Sequence, residues 1–191
     1  MANQYGFYLD QQNCIGCFTC QVACKDKNDL ADGVRWRRVH EFSGGSCIEE
    51  NGVFKSNVFA YWLSMSCNHC KEAKCVRGCP TGAMHYDDDG TVQHNKKLCI
   101  GCQYCVWNCP YNVPQYMEEE NIVGKCDACK DLREAGQNPA CVDACIMRVL
   151  KFGPIDELRA KYGANADIKG LPSSDITKPS LVITPHKAAI K

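Results

Sequence analysis

Apolar positions along this chain fall into short runs separated by polar and cysteine-rich stretches, with little sustained helical period. "YGFYLD" at 5–10 predicts an opening strand, and "NVFAYWLSMS" at 57–66, rich in aromatic and β-branched residues, predicts another. "MHYDDDGTVQHN" carries Asp89-Gly90 at its polar centre and predicts a hairpin or tight loop. "IVGKC" at 122–126 resembles a short strand. "PIDELRAKYG" opens on Pro154 and closes on Gly163, which is helix punctuation. The final stretch, "LPSSDITKPSLVITPHKAAIK", has three prolines and little periodicity. It is expected to be an extended tail lying against something, a partner included, with a flexible terminus as the alternative. The longest apolar candidate, "VFAYWL" at 58–63, is strand-sized, so any membrane connection is expected to come through a partner.

Charge changes this picture little. Basic and acidic side chains balance at 22 each, leaving no electrostatic footprint for nucleic acid. Cysteine changes it completely: 17 of 191 residues, a density at which a short secreted chain would be taken as a disulfide scaffold. Against that, "MANQYGFYLD" lacks the basic start and apolar core of a signal peptide, and an odd number of cysteines cannot pair fully.

The spacings point to metal. Cys14, Cys17, Cys20 and Cys24 form one group; Cys67, Cys70, Cys75 and Cys79 a second, followed by Pro80. Cys99, Cys102, Cys105 and Cys109 form a third, followed by Pro110, and Cys126, Cys129, Cys141 and Cys145 a fourth. Only Cys47 is left over. Groups one and three have identical gaps, and all four groups end in Cys-x-x-x-Cys, which suits one face of a helical turn. This is an internal repeat of a short unit.

An iron–sulfur cubane needs four converging thiolates. A Cys-x-x-Cys-x-x-Cys loop supplies three, and the last cysteine of the run ligates the other cluster of a two-cluster module. Gly16 and Gly101 occupy matching places inside "CIGC", where a small residue lets the backbone approach. Residues 80–98 alone separate groups two and three, so these form a contiguous module, and groups one and four pair around it. Crossover then gives four sets: Cys14, Cys17, Cys20 with Cys145; Cys126, Cys129, Cys141 with Cys24; Cys67, Cys70, Cys75 with Cys109; and Cys99, Cys102, Cys105 with Cys79. Group four by itself would suit a structural zinc site equally well; the three cluster-type groups beside it favour a cluster.

Other residues carry weaker signals. Trp62 and Trp107 are expected to pack over clusters and exclude water, ahead of a role in tunnelling or quinone contact. His69 is expected in the surroundings of a cluster or exposed, and not as a ligand. "RWRR" at 35–38 could dock an acidic partner, with a solvated strand edge slightly favoured. Cys47 is expected to be a non-ligand, buried cysteine. No nucleophile–base pair, Walker loop or dinucleotide fingerprint is present.

With its groups in this order and the wide gap in the fourth, the chain resembles the four-cluster electron-transfer subunits of complex iron–sulfur molybdoenzymes, within them the dimethyl sulfoxide reductase family. "QYGFYLD", "NVFAYWLSMSCNHC", "CPTGAMH", "CIGCQYCVWNCPYNVPQY", "KCDAC", "FGPIDELR" and "TKPSLVITP" carry the likeness nearly end to end. The resemblance implies an α+β fold of two ferredoxin-like modules, with small strands and short helices around the clusters. Residues 1–55 and 119–153 would form one module and 56–118 an inserted one, with 154–191 a helix plus an extended tail contacting a partner. It implies four [4Fe–4S] clusters that take electrons from menaquinol at an integral membrane anchor subunit. They would pass them to a molybdopterin-containing catalytic subunit, with no catalysis by this chain. The cluster of Cys99, Cys102, Cys105 and Cys79 would lie nearest the membrane and that of group one nearest the catalytic subunit. Cysteine at all four positions of group three argues against a three-iron centre there, and Ile146 departs from the proline usual after the last cysteine. The expected location is the outer face of the cytoplasmic membrane, reached by export with a partner, the cytoplasmic face being the alternative. A free-standing soluble polyferredoxin is the competing function.

Overall fold

A computed structural model describes residues 4–190. In chain order the elements are β1 (Tyr5–Asp10), α1 (Thr19–Lys27), β2 (Arg38–Gly44), β3 (Cys47–Glu50), β4 (Val53–Ser56) and β5 (Phe59–Met65). Then follow α2 (Lys74–Arg77), β6 (Met84–Tyr86), β7 (Val92–His94), α3 (Tyr104–Asn108), β8 (Gln115–Met117) and β9 (Ile122–Gly124). The last are α4 (Lys130–Glu134), α5 (Ala140–Asp143), β10 (Leu150–Pro154), α6 (Ile155–Tyr162) and β11 (Leu181–Thr184). The class is α+β: short helices alternate with small sheets.

β1 is the central strand of the one three-stranded sheet among the described residues, antiparallel to β10 and parallel to β11. Its side chains alternate between two apolar layers, which explains why nearly the whole strand is buried. Phe7 and Leu9 join the large core that also holds Leu63, Leu150 and Ile183. Tyr8 faces the other way, into a smaller core with Ile155, Leu158 and Val182, and stacks on Tyr162 with ring centroids 3.8 Å apart. Pro154 and Gly163 cap α6 as the sequence suggests; Gly163 takes a positive φ of 87°.

The C-terminal tail finds its surface on its own chain. β11 completes the sheet, Thr177 and Ser180 are buried, and the Ser180 hydroxyl donates to the His69 carbonyl at 3.0 Å. The close approach has a sequence signature at Gly6, where an added Cβ would lie 2.2 Å from the Ser180 carbonyl oxygen. Gly6→Ala is therefore expected to push β1 off the tail and cost about 1–3 kcal/mol of stability, as overpacking does. A chemical-denaturation midpoint unchanged by the substitution would contradict this packing.

The other sheets are two-stranded ribbons, β2–β5, β3–β4, β6–β7 and β8–β9. Such ribbons are marginal in isolation, so what lies between them must hold them. β5 buries alternate residues, Tyr61, Leu63 and Met65, against the large core. The β3–β4 ribbon is exposed along its whole length, and Cys47 on it is an exposed thiol, not the buried cysteine expected. Solvated ribbons need no apolar period, so nothing in the sequence around Cys47 marks its exposure.

Candidate iron–sulfur centres

Each cysteine group is built on the same backbone device. The third residue of the first Cys-x-x-Cys in each group is left-handed: Gly16 at φ 65°, His69 at 42°, Gly101 at 68° and Ala128 at 59°. The N–H groups of Gly16, His69 and Ala128 themselves hydrogen-bond the sulfurs of Cys14, Cys67 and Cys126. Glycine adopts such a φ freely, whereas histidine and alanine must be held there. His69 is fully buried and tied on several sides. The Val92 N–H donates to its Nδ1 at 3.0 Å, and its carbonyl accepts from Gln4 Nε2 and Ser180 Oγ. Burial first, then the Lys125 and Arg133 charges, hold its pKa well below the usual range, so the ring is neutral with its proton on Nε2.

The third cysteine of each group sits on a short helix, α1, α2, α3 or α5, and the fourth follows one turn later, within or just past the helix end. α1 lies against α5, and α2 against α3. Each pair of helices therefore carries the fourth cysteine of one group to the loop of the other.

The outcome is a gathering of thiols across groups. Cys14, Cys17, Cys20 and Cys145 wall one hollow (hereafter the Cys14 set). Cys67, Cys70, Cys75 and Cys109 wall another (the Cys67 set). Cys79, Cys99, Cys102 and Cys105 wall a third (the Cys79 set). Cys24, Cys126, Cys129 and Cys141 (the Cys24 set) are all buried and close enough to disturb one another's ionisation. Cys47 joins none of them. Among the described residues, no three His, Cys, Asp or Glu side chains converge tightly enough for a single metal ion.

Burial governs the ionisation of the free thiols. It pushes Cys129 and Cys75 up to about 12 and Cys105 up to about 11, and raises Cys24 further. Protons must therefore leave when the sulfurs bind metal. Cys17 departs from the pattern: it is exposed, and the Thr19 hydroxyl, donating at 3.3 Å, lowers its pKa.

Two buried cations complete the surroundings, and sequence reasoning missed both. Arg37, read within "RWRR" as part of a solvated edge or docking patch, is 1% exposed. Lys125, 2% exposed, donates to the Val92 and Cys126 carbonyls and borders the Cys67 hollow. Neither has a carboxylate at ion-pair distance among the described residues. A buried cation needs a negative neighbour, and the neighbours here are sulfurs, so the surroundings suit anionic clusters. The tryptophans divide: Trp62 packs its indole on the Gly16 loop, where a Cβ would clash with it, while Trp107 is 76% exposed.

A family model described as a 4Fe-4S dicluster domain matches residues 58–155. The chain is 51% identical over 187 residues to the B subunit of anaerobic dimethyl sulfoxide reductase from Haemophilus influenzae, spanning 97% of this chain and 91% of that one. It belongs to the family of dimethyl sulfoxide reductase B subunits. It is also 41% identical over 160 residues to a thiosulfate reductase electron transfer subunit of Salmonella typhi, covering 82% of this chain and 79% of the relative. The B subunit of polysulfide reductase from Wolinella succinogenes is 35% identical over 191 residues, 98% of this chain and 97% of that one. A B subunit of this family is an iron–sulfur electron-transfer protein and not the polypeptide that turns over substrate. Its [4Fe–4S] chemistry follows from the dicluster match. No helix among the described residues is long and apolar enough to cross a membrane.

Proposed function

We propose that this chain carries electrons singly through four [4Fe–4S] clusters, one on each cysteine set, between a quinol-oxidising membrane anchor subunit and a molybdopterin catalytic subunit. The observation that carries the reading is the order of the sets. Cys20 of the Cys14 set feels the charge of Cys141 in the Cys24 set; Cys126 of the Cys24 set feels Cys67; Cys75 of the Cys67 set feels Cys105 in the Cys79 set. The sets thus form a line, Cys14–Cys24–Cys67–Cys79. The two inner sets are largely covered, whereas each outer set has one exposed cysteine, Cys17 at one end and Cys102 at the other. Such a line suits a conduit with two ports.

Bound clusters supply one-electron chemistry at potentials set by charge, hydrogen bonds and exposure. The chain's own residues hold sulfurs rigidly, exclude water from the two inner sets and offer a docking face at each port. Around the Cys14 set, Ile15, Phe18, Val22, Ile146 and Met147 are exposed; around the Cys79 set, Leu98, Ile100, Tyr104 and Trp107 are. Clustered exposed apolar side chains mark contact surfaces. We assign the first face to the catalytic subunit and the second to the anchor. Two exposed apolar ports favour a fixed subunit over a free-standing polyferredoxin. Residues 1–55 with 119–153 form one ferredoxin-like module of this reading, 56–118 the inserted module, and 154–191 the segment that ties them together. The assembly is assigned to the outer face of the cytoplasmic membrane, by export with a partner. The terminal acceptor, a sulfoxide or amine N-oxide on family grounds, is chosen by the catalytic subunit.

Anaerobic extraction from native membranes tests this. The chain is expected to co-purify with a molybdenum-containing subunit and a hydrophobic anchor, and menaquinol is expected to reduce its clusters. A fully loaded chain that leaves the cells alone, and that soluble donors but not quinol reduce, would make it a free carrier.

A further inference from the structure

Arg37 is the largest fully buried side chain among the described residues, and it lies where two cysteine sets meet. One face of its guanidinium rests over the Phe7 ring, 4.8 Å from the centroid. Nη1 donates to the Ser64 hydroxyl at 3.0 Å and to the Ser64 carbonyl at 3.3 Å; Nη2 donates to the Ser66 hydroxyl at 2.8 Å. Nε is buried without a hydrogen-bond partner. The Ser64 hydroxyl is also 3.3 Å from the Cys20 sulfur, so it joins Arg37 to the Cys14 set. On the other side, Phe7 beneath the guanidinium shares its core with Cys126 and Cys141 of the Cys24 set, and Cys141 lies near enough to Arg37 to feel its charge.

The electrostatics agree with that placement. The thiols that act most strongly on the guanidinium are Cys141, Cys20, Cys126 and Cys24. These four sulfurs belong to two sets, one from the Cys14 set and three from the Cys24 set. Arg37 is absent from the principal influences on Cys67, Cys70, Cys75 and Cys105, where Lys125 or neighbouring thiols act instead.

We propose that Arg37 is the shared cation of the two clusters on the Cys14 and Cys24 sets, and that it raises both reduction potentials together, with Ser64 extending its effect to Cys20. Reducing a thiolate-bound cubane adds one negative charge to an anionic centre. A fixed positive charge in a low-dielectric interior stabilises the reduced form more than the oxidised one. A cation placed between two such centres biases both toward the reduced state. It also screens the repulsion that one reduced cluster exerts on its neighbour. The two clusters next to the catalytic port are thereby set apart from the two nearer the other port.

The test uses the complex purified anaerobically, with iron counted and each cluster followed by EPR during a potentiometric titration. With Arg37→Gln, two of the four midpoints are expected to fall together by at least tenfold in the reduction equilibrium, about 59 mV for a one-electron couple. The other two should stay in place. Arg37→Lys, which keeps the charge, should hold both near their original values, and Ser64→Ala should move only one of the pair. Unchanged midpoints, four equal shifts, or a lysine variant that moves as far as the glutamine variant would overturn the proposal. If Arg37→Gln fails to load iron, Arg37→Lys decides: retained midpoints support the proposal, and a joint fall overturns it. The inference rests on the four-cluster reading, and the unsubstituted complex separates the two. Fewer than four one-electron centres there would fail that reading, whereas four centres indifferent to Arg37 would fail this inference alone.

Discussion

Stripping the iron with an oxidant and a chelator is expected to unfold most of this chain and not to leave an empty scaffold. Among the described residues, the smaller of the cysteine-containing cores holds Ala73, Met84, Val92 and Val123 besides Cys75 and Cys105, and packs against Val76, Val106 and Tyr116 as well as Cys70, Cys79 and Cys99. A few apolar side chains do not supply the roughly 5–15 kcal/mol that keeps a domain folded. The ribbons β6–β7 and β8–β9 have three-residue strands and little else to hold them. Removing the clusters also strips Arg37 and Lys125 of their negative neighbours, leaving two buried cations among neutral groups. Metal binding in such a protein is folding free energy. The exception should be the layer of β1, β11 and α6, whose core of Tyr8, Ile155, Leu158 and Val182 contains no thiol. Hydrogen exchange on the iron-free chain is therefore expected to show protection surviving longest there and lost first around α2 and α3. An iron-free chain with its circular dichroism and unfolding midpoint unchanged would contradict this account of the core.

The crossing of cysteines between groups predicts which substitutions resemble one another. Cys145→Ala, although Cys145 lies in group four, should abolish the same EPR signal as Cys14→Ala. Cys24→Ala should match Cys126→Ala and leave the Cys14 signal intact. Likewise Cys109→Ala should resemble Cys67→Ala, and Cys79→Ala should resemble Cys99→Ala. Each is expected to lose about four of about 16 irons, or about one where a three-iron remnant survives. Cys47→Ala should lose none, since Cys47 sits on the exposed β3 strand outside every set. The geometry behind this is the pairing of α1 with α5 and of α2 with α3, each helix carrying its last cysteine toward its partner's loop. Signals that sort by sequence group, with Cys24→Ala matching Cys14→Ala, would show that each run closes its own cluster.

Much of this was legible in the sequence because thiolate chemistry constrains spacing so tightly. The four groups, their shared Cys-x-x-x-Cys ending and the short link between groups two and three follow from counting. β1 and α6 were legible too, the first from its apolar run and the second from Pro154 and Gly163. Glycine exposed only half of the left-handed pattern. Gly16 and Gly101 mark it openly, whereas His69 and Ala128 adopt the same conformation with nothing in their side chains to announce it. His69 is held there by Val92, Gln4 and Ser180, contacts that are distant in sequence. Arg37 was illegible for a related reason. A basic run ordinarily lies in solvent, and only the tertiary meeting of Cys20, Cys141 and Ser64 makes a buried guanidinium tolerable. The tail was legible as an extended segment lying against something, but its prolines could not name the surface: β11 pairs with β1, more than 170 residues earlier in the chain.

The central claim is that sixteen cysteines hold four cubanes, and iron, acid-labile sulfide and zinc counted together on the anaerobically purified chain test it most directly. About 16 irons and about 16 sulfides with no zinc are expected. About 12 of each with one zinc would instead make the Cys126, Cys129 and Cys141 group a structural zinc site, and the line of four sets would be broken at its second member.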